Sequence, residues 1–206
     1  MSSVDASPVD AAQSDGRTLR RDRNRIAVVD ALLALYVEGN LAPSSDEIAA
    51  RAGLSPRSLF RYFDDLDDLT RVAVARHLER VEPLARIDVG PSASFDDRVA
   101  ALVDARVRTF EFVAPVARVA RWRALMQPVV AEQVEMGRRL LRRQALELFA
   151  PELAACSPER RERVAALVDV LLSLEVTMLL RDSNGFDAAG VRAVLGEGLR
   201  TLLEER

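Results

Sequence analysis

An all-α fold in two parts is what this sequence predicts, and three observations carry the prediction. Apolar residues recur at helical spacing through most of the 206 residues, and no run alternates as a strand would. Serine, proline and glycine punctuate the pattern at intervals of helical length, in the order in which helices start and stop. Apolar side chains make up 49% of the chain, enough to bury a sizeable core without any repeat of fixed period. The expected organisation is a disordered tail over 1–16, a three-helix N-terminal domain over 17–82 and a larger helical domain over 83–206.

The tail, MSSVDASPVDAAQSDG, is small and polar and lacks apolar periodicity. Ile26, Val29, Leu33 and Tyr36, widened by Leu32 and Val37, then form one stripe, so a first helix is expected over 20–38, stopped by Gly39-Asn40. Ser44 and Glu47 have the spacing of a capping box, in which hydroxyl and carboxylate satisfy the free backbone donors of a helix start. That second helix runs over 45–52 and ends at Gly53. Ser55-Pro56 opens a third, with a capping hydroxyl and a proline where no backbone N–H is needed, and it reaches about residue 63. Asp64, Asp65, Asp67 and Asp68 follow, placed to favour the positive end of a fourth helix running to 81. An acidic cluster is also a metal candidate. With Leu66 between them, these four match neither an EF-hand nor a two-metal spacing, so capping is the better reading.

Pro83, Gly90 and Pro91 mark the connection to the second domain, where helices are expected over 95–113, 116–127, 129–149, 158–180 and 187–203. Residues 164–180 are apolar nearly all round, with only Asp169, Ser173, Glu175 and Thr177 polar. Such a helix needs cover on more than one side, from a surrounding core or from a second subunit.

Several chemistries are disfavoured. The longest stretch without a charge is Ala124 to Ala131, far short of the roughly 20 apolar residues that span a bilayer, so no membrane partner is expected. The first residues offer neither the basic start nor the apolar run of a secretory signal, which makes a reducing cytoplasm the expected compartment. One histidine, His77, and one cysteine, Cys156, lie far apart, so neither a His/Cys zinc site nor an internal disulfide is expected. His77 reads as a partly packed helical residue and Cys156 as an inert loop residue. No phosphate-binding glycine loop occurs, and no nucleophile, base and orienting group come together, so neither cofactor nor catalytic residue is expected.

Net charge is −3, but its distribution is informative. Residues 17–63 carry eight arginines against five acids, whereas 1–16 carry three acids and no base and 64–206 carry 21 arginines against 24 acids. A local basic segment is the electrostatic footprint expected of a DNA-binding head. That segment contains SSDEIAARAGLSPRSLFRYF over 44–63, two short helices joined by a glycine-containing turn, which is the helix-turn-helix design. Ala49 is small where the helices cross, Gly53 supplies a left-handed turn, and Ile48, Leu54, Leu59 and Phe63 can form the contact between them. Arg57, Ser58 and Arg61, with Phe60 and Tyr62, then face outward toward double-stranded DNA.

Over residues 20–70 the chain resembles the TetR/AcrR family of bacterial transcriptional regulators. The resemblance rests on Ser44, Glu47-Ile48-Ala49, Ala52-Gly53-Leu54-Ser55, Ser58-Leu59-Phe60-Arg61-Tyr62-Phe63 and Asp67-Asp68-Leu69, which stand at the positions of the family pattern. Ser173-Leu174-Glu175, Leu180-Arg181 and Asn184-Gly185-Phe186-Asp187 are similar to the junction before the family's last helix. The resemblance implies a homodimer, closed by a four-helix bundle of the last two long helices from each subunit. It implies operator contacts from Ser44, Ser45, Ser55, Arg57, Ser58, Phe60, Arg61 and Tyr62, with Arg21 and Arg23 from the first helix, and a repressor released by a small-molecule effector, although activation remains open. Two positions depart: the family usually has Tyr at Phe60 and Lys at Leu66, both phosphate contacts, and neither replacement donates a hydrogen bond.

For the effector, the residues offer Phe110, Trp122, Met126, Met136 and Met178, which at helical spacing suit either plain core or an apolar ligand box. Arg106 lies on the face of Phe95, Val99, Leu102, Phe110 and Val113, and Glu175 has Leu171, Leu172, Met178 and Leu179 as helical neighbours. Both charges are expected to be enclosed and to need a partner, either each other or a group on the ligand. Two rival readings remain: a helical enzyme or small-molecule carrier, and a family member with a weakened head that acts through protein partners.

Overall fold

The computed structural model describes residues 8–204, and side chains from residue 18 onward. The described residues form helices and connecting turns, and they separate into two compact units that divide after Ala75, inside the fourth helix and ahead of the 82/83 boundary expected from the sequence.

In the first unit, α1 (Pro8–Val37) begins earlier than expected. Residues 1–7 of the expected tail lie outside the described residues, but 8–16 are helical, a correction to the reading of that whole segment as disordered. Proline at the first helical position followed by Ala11-Ala12-Gln13 carries good helix propensity into the amphipathic stretch. The buried arc of α1 is Val28, Val29, Ala31, Leu32, Leu33 and Tyr36. Ile26 and Val37 fall on the exposed rim, because the arc is turned toward Val28 and Ala31. Gly39 takes φ +89°, and Asn40 and Gly39 donate back to Leu35 O and Tyr36 O at 3.0 and 3.1 Å, the paired bonds that close a helix with a left-handed residue. α2 (Ser45–Arg51), α3 (Pro56–Leu59) and the first turns of α4 (Leu66–Glu79) complete the unit around Ile48, Ala49, Leu59, Phe63, Leu69 and Ala73. The acidic cluster caps α4: Asp68 N donates to Asp65 Oδ1 at 2.7 Å.

The second unit contains α5 (Glu82–Ala85), α6 (Phe95–Ala124), α7 (Pro128–Leu148), α8 (Ala150–Ala154), α9 (Pro158–Leu171), α10 (Leu174–Met178), a π-helical turn over Leu179–Ser183 and α11 (Ala188–Glu204). Its core interleaves Val99, Leu102, Val103 and Val107 of α6 with Ala145 and Leu148 of α7, Val164 and Val168 of α9, and Val191, Leu195 and Leu199 of α11. Gly198 permits the α9–α11 approach, since a β-carbon there would meet Leu171 Cδ2 at 2.9 Å. Arg98 is enclosed between Phe95 and Phe149 and neutralised by Glu152, with contacts of 2.6 and 2.7 Å.

Two expected helix boundaries are wrong for physical reasons. The break before Val116 does not occur, and α6 continues through Pro115. The lost N–H leaves one carbonyl without its helical partner, but Val116, Val119 and Ala120 extend the buried stripe, and Arg181–Glu111 and Arg118–Asp182 ion pairs tie the region to the π-helical turn. Conversely, the helix expected over 158–180 is broken at Ser173, whose hydroxyl accepts from Val176 N at 3.3 Å and starts α10. Nor is that segment covered all round, since Leu167, Val170 and Leu179 stand exposed on the single chain.

Candidate nucleic-acid interface

Local hydrogen bonding builds the α2–turn–α3 head. Ser44 Oγ accepts from Glu47 N at 3.3 Å while Glu47 Oε2 accepts from Ser44 N at 2.8 Å, so the capping box is complete. Those hydrogen bonds from Ser44, backbone first, hold the Glu47 carboxyl below the usual carboxylate range. Asn40 binds the other side of the same carboxylate at 3.2 Å and ties the end of α1 to the start of α2. In the turn, Gly53 at φ +68° lets Leu54 N and Gly53 N reach back to Ala49 O and Ala50 O at 2.9 and 3.2 Å. Any residue with a β-carbon would be strained there. Ser55 Oγ then accepts from Ser58 N at 3.3 Å, with Pro56 at the first helical position.

The third helix is shorter than the sequence suggests. α3 proper is Pro56–Leu59, and the chain continues to Phe63 through turns in which Arg61 N and Tyr62 N reach Ser58 O and Leu59 O. The cause is the pull of Phe63 into the core beside Leu59, with Arg25 over the Phe63 ring at 5.2 Å to its centroid.

Among the expected contact residues, Arg57 and Arg61 are exposed, and neither guanidinium has a side-chain partner among the described residues. Phe60 stands between them, 49% exposed. Arg21 is exposed at the surface of α1, and Arg23 Nε donates to Leu19 O at 3.4 Å. Ser44, Ser55 and Ser58 have side chains engaged in caps, and Ser45 is half-buried. Tyr62 is also half-buried, its hydroxyl accepting from Asn24 Nδ2 at 3.0 Å. Sequence reading missed Asn24, since nothing in the α1 pattern marks which polar residue meets the segment that follows α3. Leu66, at the position of the family lysine, is half-buried and opens α4.

The effector candidates do not gather. Phe110 is buried and Met178 half-buried, but Trp122, Met126 and Met136 are exposed by 56%, 79% and 62%, so these three are neither core nor pocket in the chain by itself. They lie where α6 ends and α7 begins, beyond the reach of the core stripe. The expected enclosure of Glu175 is corrected: its side chain is largely exposed and pairs with Arg121 at 2.6 Å. Arg106 is enclosed, as expected, but not with Glu175. It donates to Gln144 Oε1 at 2.9 Å and to Leu141 O at 2.5 Å.

No protein-family model matches the chain. It is 33% identical over 156 residues to the HTH-type transcriptional regulator BetI of Rhizobium meliloti (strain 1021), covering 71% of this chain and 75% of that protein. The chain belongs to the TetR family of transcriptional regulators. Solved structures share the TetR-like all-helical fold: a transcriptional regulator from Rhodococcus sp. Rha1, at 17% identity and TM-score 0.66, covers 89% of this chain and 96% of its own. A TetR-family regulator from Streptomyces coelicolor, at 20% identity and TM-score 0.66, covers 88% and 80%. As a TetR-family member the protein is a DNA-binding regulator of transcription rather than an enzyme. No helix among the described residues is long and apolar enough to cross a membrane.

Proposed function

We propose that this TetR-family regulator is a homodimeric repressor that blocks a promoter through α2 and α3 and is released by a small, largely apolar effector taken up by the second unit. The observation that carries the DNA side is the pair of exposed guanidiniums, Arg57 and Arg61, free of side-chain partners among the described residues beside capping serines whose hydroxyls are occupied. Arginine on the outward side of the second helix of such a motif reads guanine edges or clamps phosphates. Phe60 between them suits a thymine methyl, a role its missing hydroxyl does not impair. Serines 44, 45, 55 and 58 and Tyr62 border this surface, and Arg21 and Arg23 add charge from α1.

The dimer half of the proposal rests on Leu167, Val170 and Leu179, apolar side chains that water would otherwise meet along α9 and the π-helical turn. Packed against the same residues of a second copy, beside α11, they would set two heads for half-sites about 34–36 Å apart, one turn of DNA. The protein is proposed to act in the cytoplasm, where its operator lies.

A second reading, a regulator with a weak grip that works through protein partners, is favoured by Phe60 and Leu66. One titration separates the two. The wild-type protein is titrated by gel shift against the DNA upstream of its own gene at several salt concentrations, alongside unrelated DNA. The repressor reading predicts sequence preference and a steep fall of log affinity with log salt, about 0.9 per phosphate neutralised. Equal, weak binding to both DNAs supports the protein-partner reading instead.

A further inference from the structure

Two arginines stand on the buried face of α6, about 12 Å apart along its axis, and only one has an anion. Arg98 is neutralised by Glu152. Arg106 is 1% exposed, and no carboxylate among the described residues lies within ion-pair distance of it. Its two acceptors, Gln144 Oε1 and Leu141 O, are neutral. Its Nε is buried and donates to nothing among the described residues.

A guanidinium carries five N–H donors and a full charge, and neutral acceptors do not return what its dehydration costs. Burial pushes Arg106 down to about 10, so it keeps its proton at neutral pH. One helical turn further along α6, Thr109 is also 1% exposed, and its hydroxyl has no partner among the described residues. Phe110, buried on the same face, supplies an apolar neighbour. Gln144 is itself anchored, since its Nε2 donates to Ala85 O in α5 at 2.8 Å. The guanidinium is therefore held from one side by a fixed amide and carbonyl, while Nε is left for something else.

We propose that Arg106 and Thr109 are the polar end of the effector site, and that the effector is a small monocarboxylic acid with an apolar body lying toward Phe110. The carboxylate takes the Nε side of Arg106 and the Thr109 hydroxyl. There it neutralises the guanidinium, which then holds Gln144 Oε1 less strongly, and this loosens the Gln144 bond to Ala85 in the helix that follows α4. The inference rests on the reading of the second unit as the effector-binding unit.

The test uses full-length protein and the sodium salts of butanoic, octanoic, phenylacetic and benzoic acids, each beside its own neutral amide, with binding read by calorimetry and release read on operator DNA. At least one acid is expected to bind tenfold or more tightly than its amide and to release DNA. R106M removes that preference while still holding DNA, T109V weakens the acid several-fold without affecting the amide, and R106K, which keeps the charge, retains part of it. The inference is overturned if no acid binds the wild type, or if an acid binds R106M as tightly. An amide that binds and releases DNA equally from both proteins removes the anionic end and leaves effector release standing. Should R106M fail to hold DNA, R106Q and T109V carry the same comparison by calorimetry, which does not depend on the head.

Discussion

The head and the second unit leave different kinds of polar group without partners. In the head, α2, α3 and α4 start on capping side chains and α1 and α2 end on left-handed glycines, so these helix ends are satisfied. Guanidiniums left free are on the surface, Arg57 and Arg61 among them. In the second unit buried atoms too lack partners among the described residues: Arg106 Nε, Thr109 Oγ1, Thr177 Oγ1, Gln133 Oε1 and His77 Nε2. An exposed free donor suits a large, charged partner that stays outside. A buried one suits a ligand small enough to enter.

The largest expected effect sharpens the contrast within the second unit. Glu152→Ala should destabilise the protein by about 3 kcal/mol in denaturant melts, because it leaves the Arg98 guanidinium buried without its anion. Arg106→Met should cost nothing or stabilise, since there is no pair to break. Equal losses in the two variants would mean that Arg106 is as well satisfied as Arg98, and the difference between the regions would shrink.

In the head, Ser44→Ala should cost about 1 kcal/mol, the usual worth of an N-cap, and should reduce DNA affinity by loosening α2. A change in DNA affinity with no change in melting would show Ser44 to be a contact residue instead of a cap.

A further effect is on pH. Burial, and secondarily Arg80, holds His77 down at about 4 against an ordinary 6.5, while its ring stacks on Phe112 with centroids 4.6 Å apart. The unfolded chain therefore takes up this proton first. Stability should be full above about pH 6.5 and fall as pH drops toward 4, by at most about 1.4 kcal/mol per unit. Glu152, whose carboxyl Arg98 holds low, adds its loss only below the usual carboxylate value of 4.5. His77→Leu should flatten melting temperature between pH 4 and 6.5, and an unchanged slope would remove His77 as the cause.

The head was legible in the sequence because its determinants are local. Ser44 with Glu47, Gly53, and Ser55 with Pro56 each act over three residues, and all appear where expected. The short α3 was not legible, because the burial of Phe63 against Leu59 is a tertiary decision. In the second unit, local signals competed with packing and lost at Pro115, where the buried stripe carried α6 through a proline, and won at Ser173, which split an apolar helix. Periodicity placed Arg106 on a buried face correctly, yet it could not find Gln144, which reaches Arg106 from another helix. It enclosed Glu175 wrongly, because helical neighbours do not reveal that Arg121 draws that side chain to the surface. Trp122, Met126 and Met136 failed as a set for a related reason: a stripe says which residues share a face, not what covers it.

Whether the exposed arginines of the α2–α3 head grip operator DNA is decided by the salt dependence of binding by an Arg57→Ala, Arg61→Ala double variant. A grip through these arginines predicts an unchanged melting temperature, an affinity for the upstream DNA reduced more than tenfold, and a log–log salt slope shallower by about 0.9 for each phosphate that is no longer neutralised. The same affinity and slope as the wild type would contradict it.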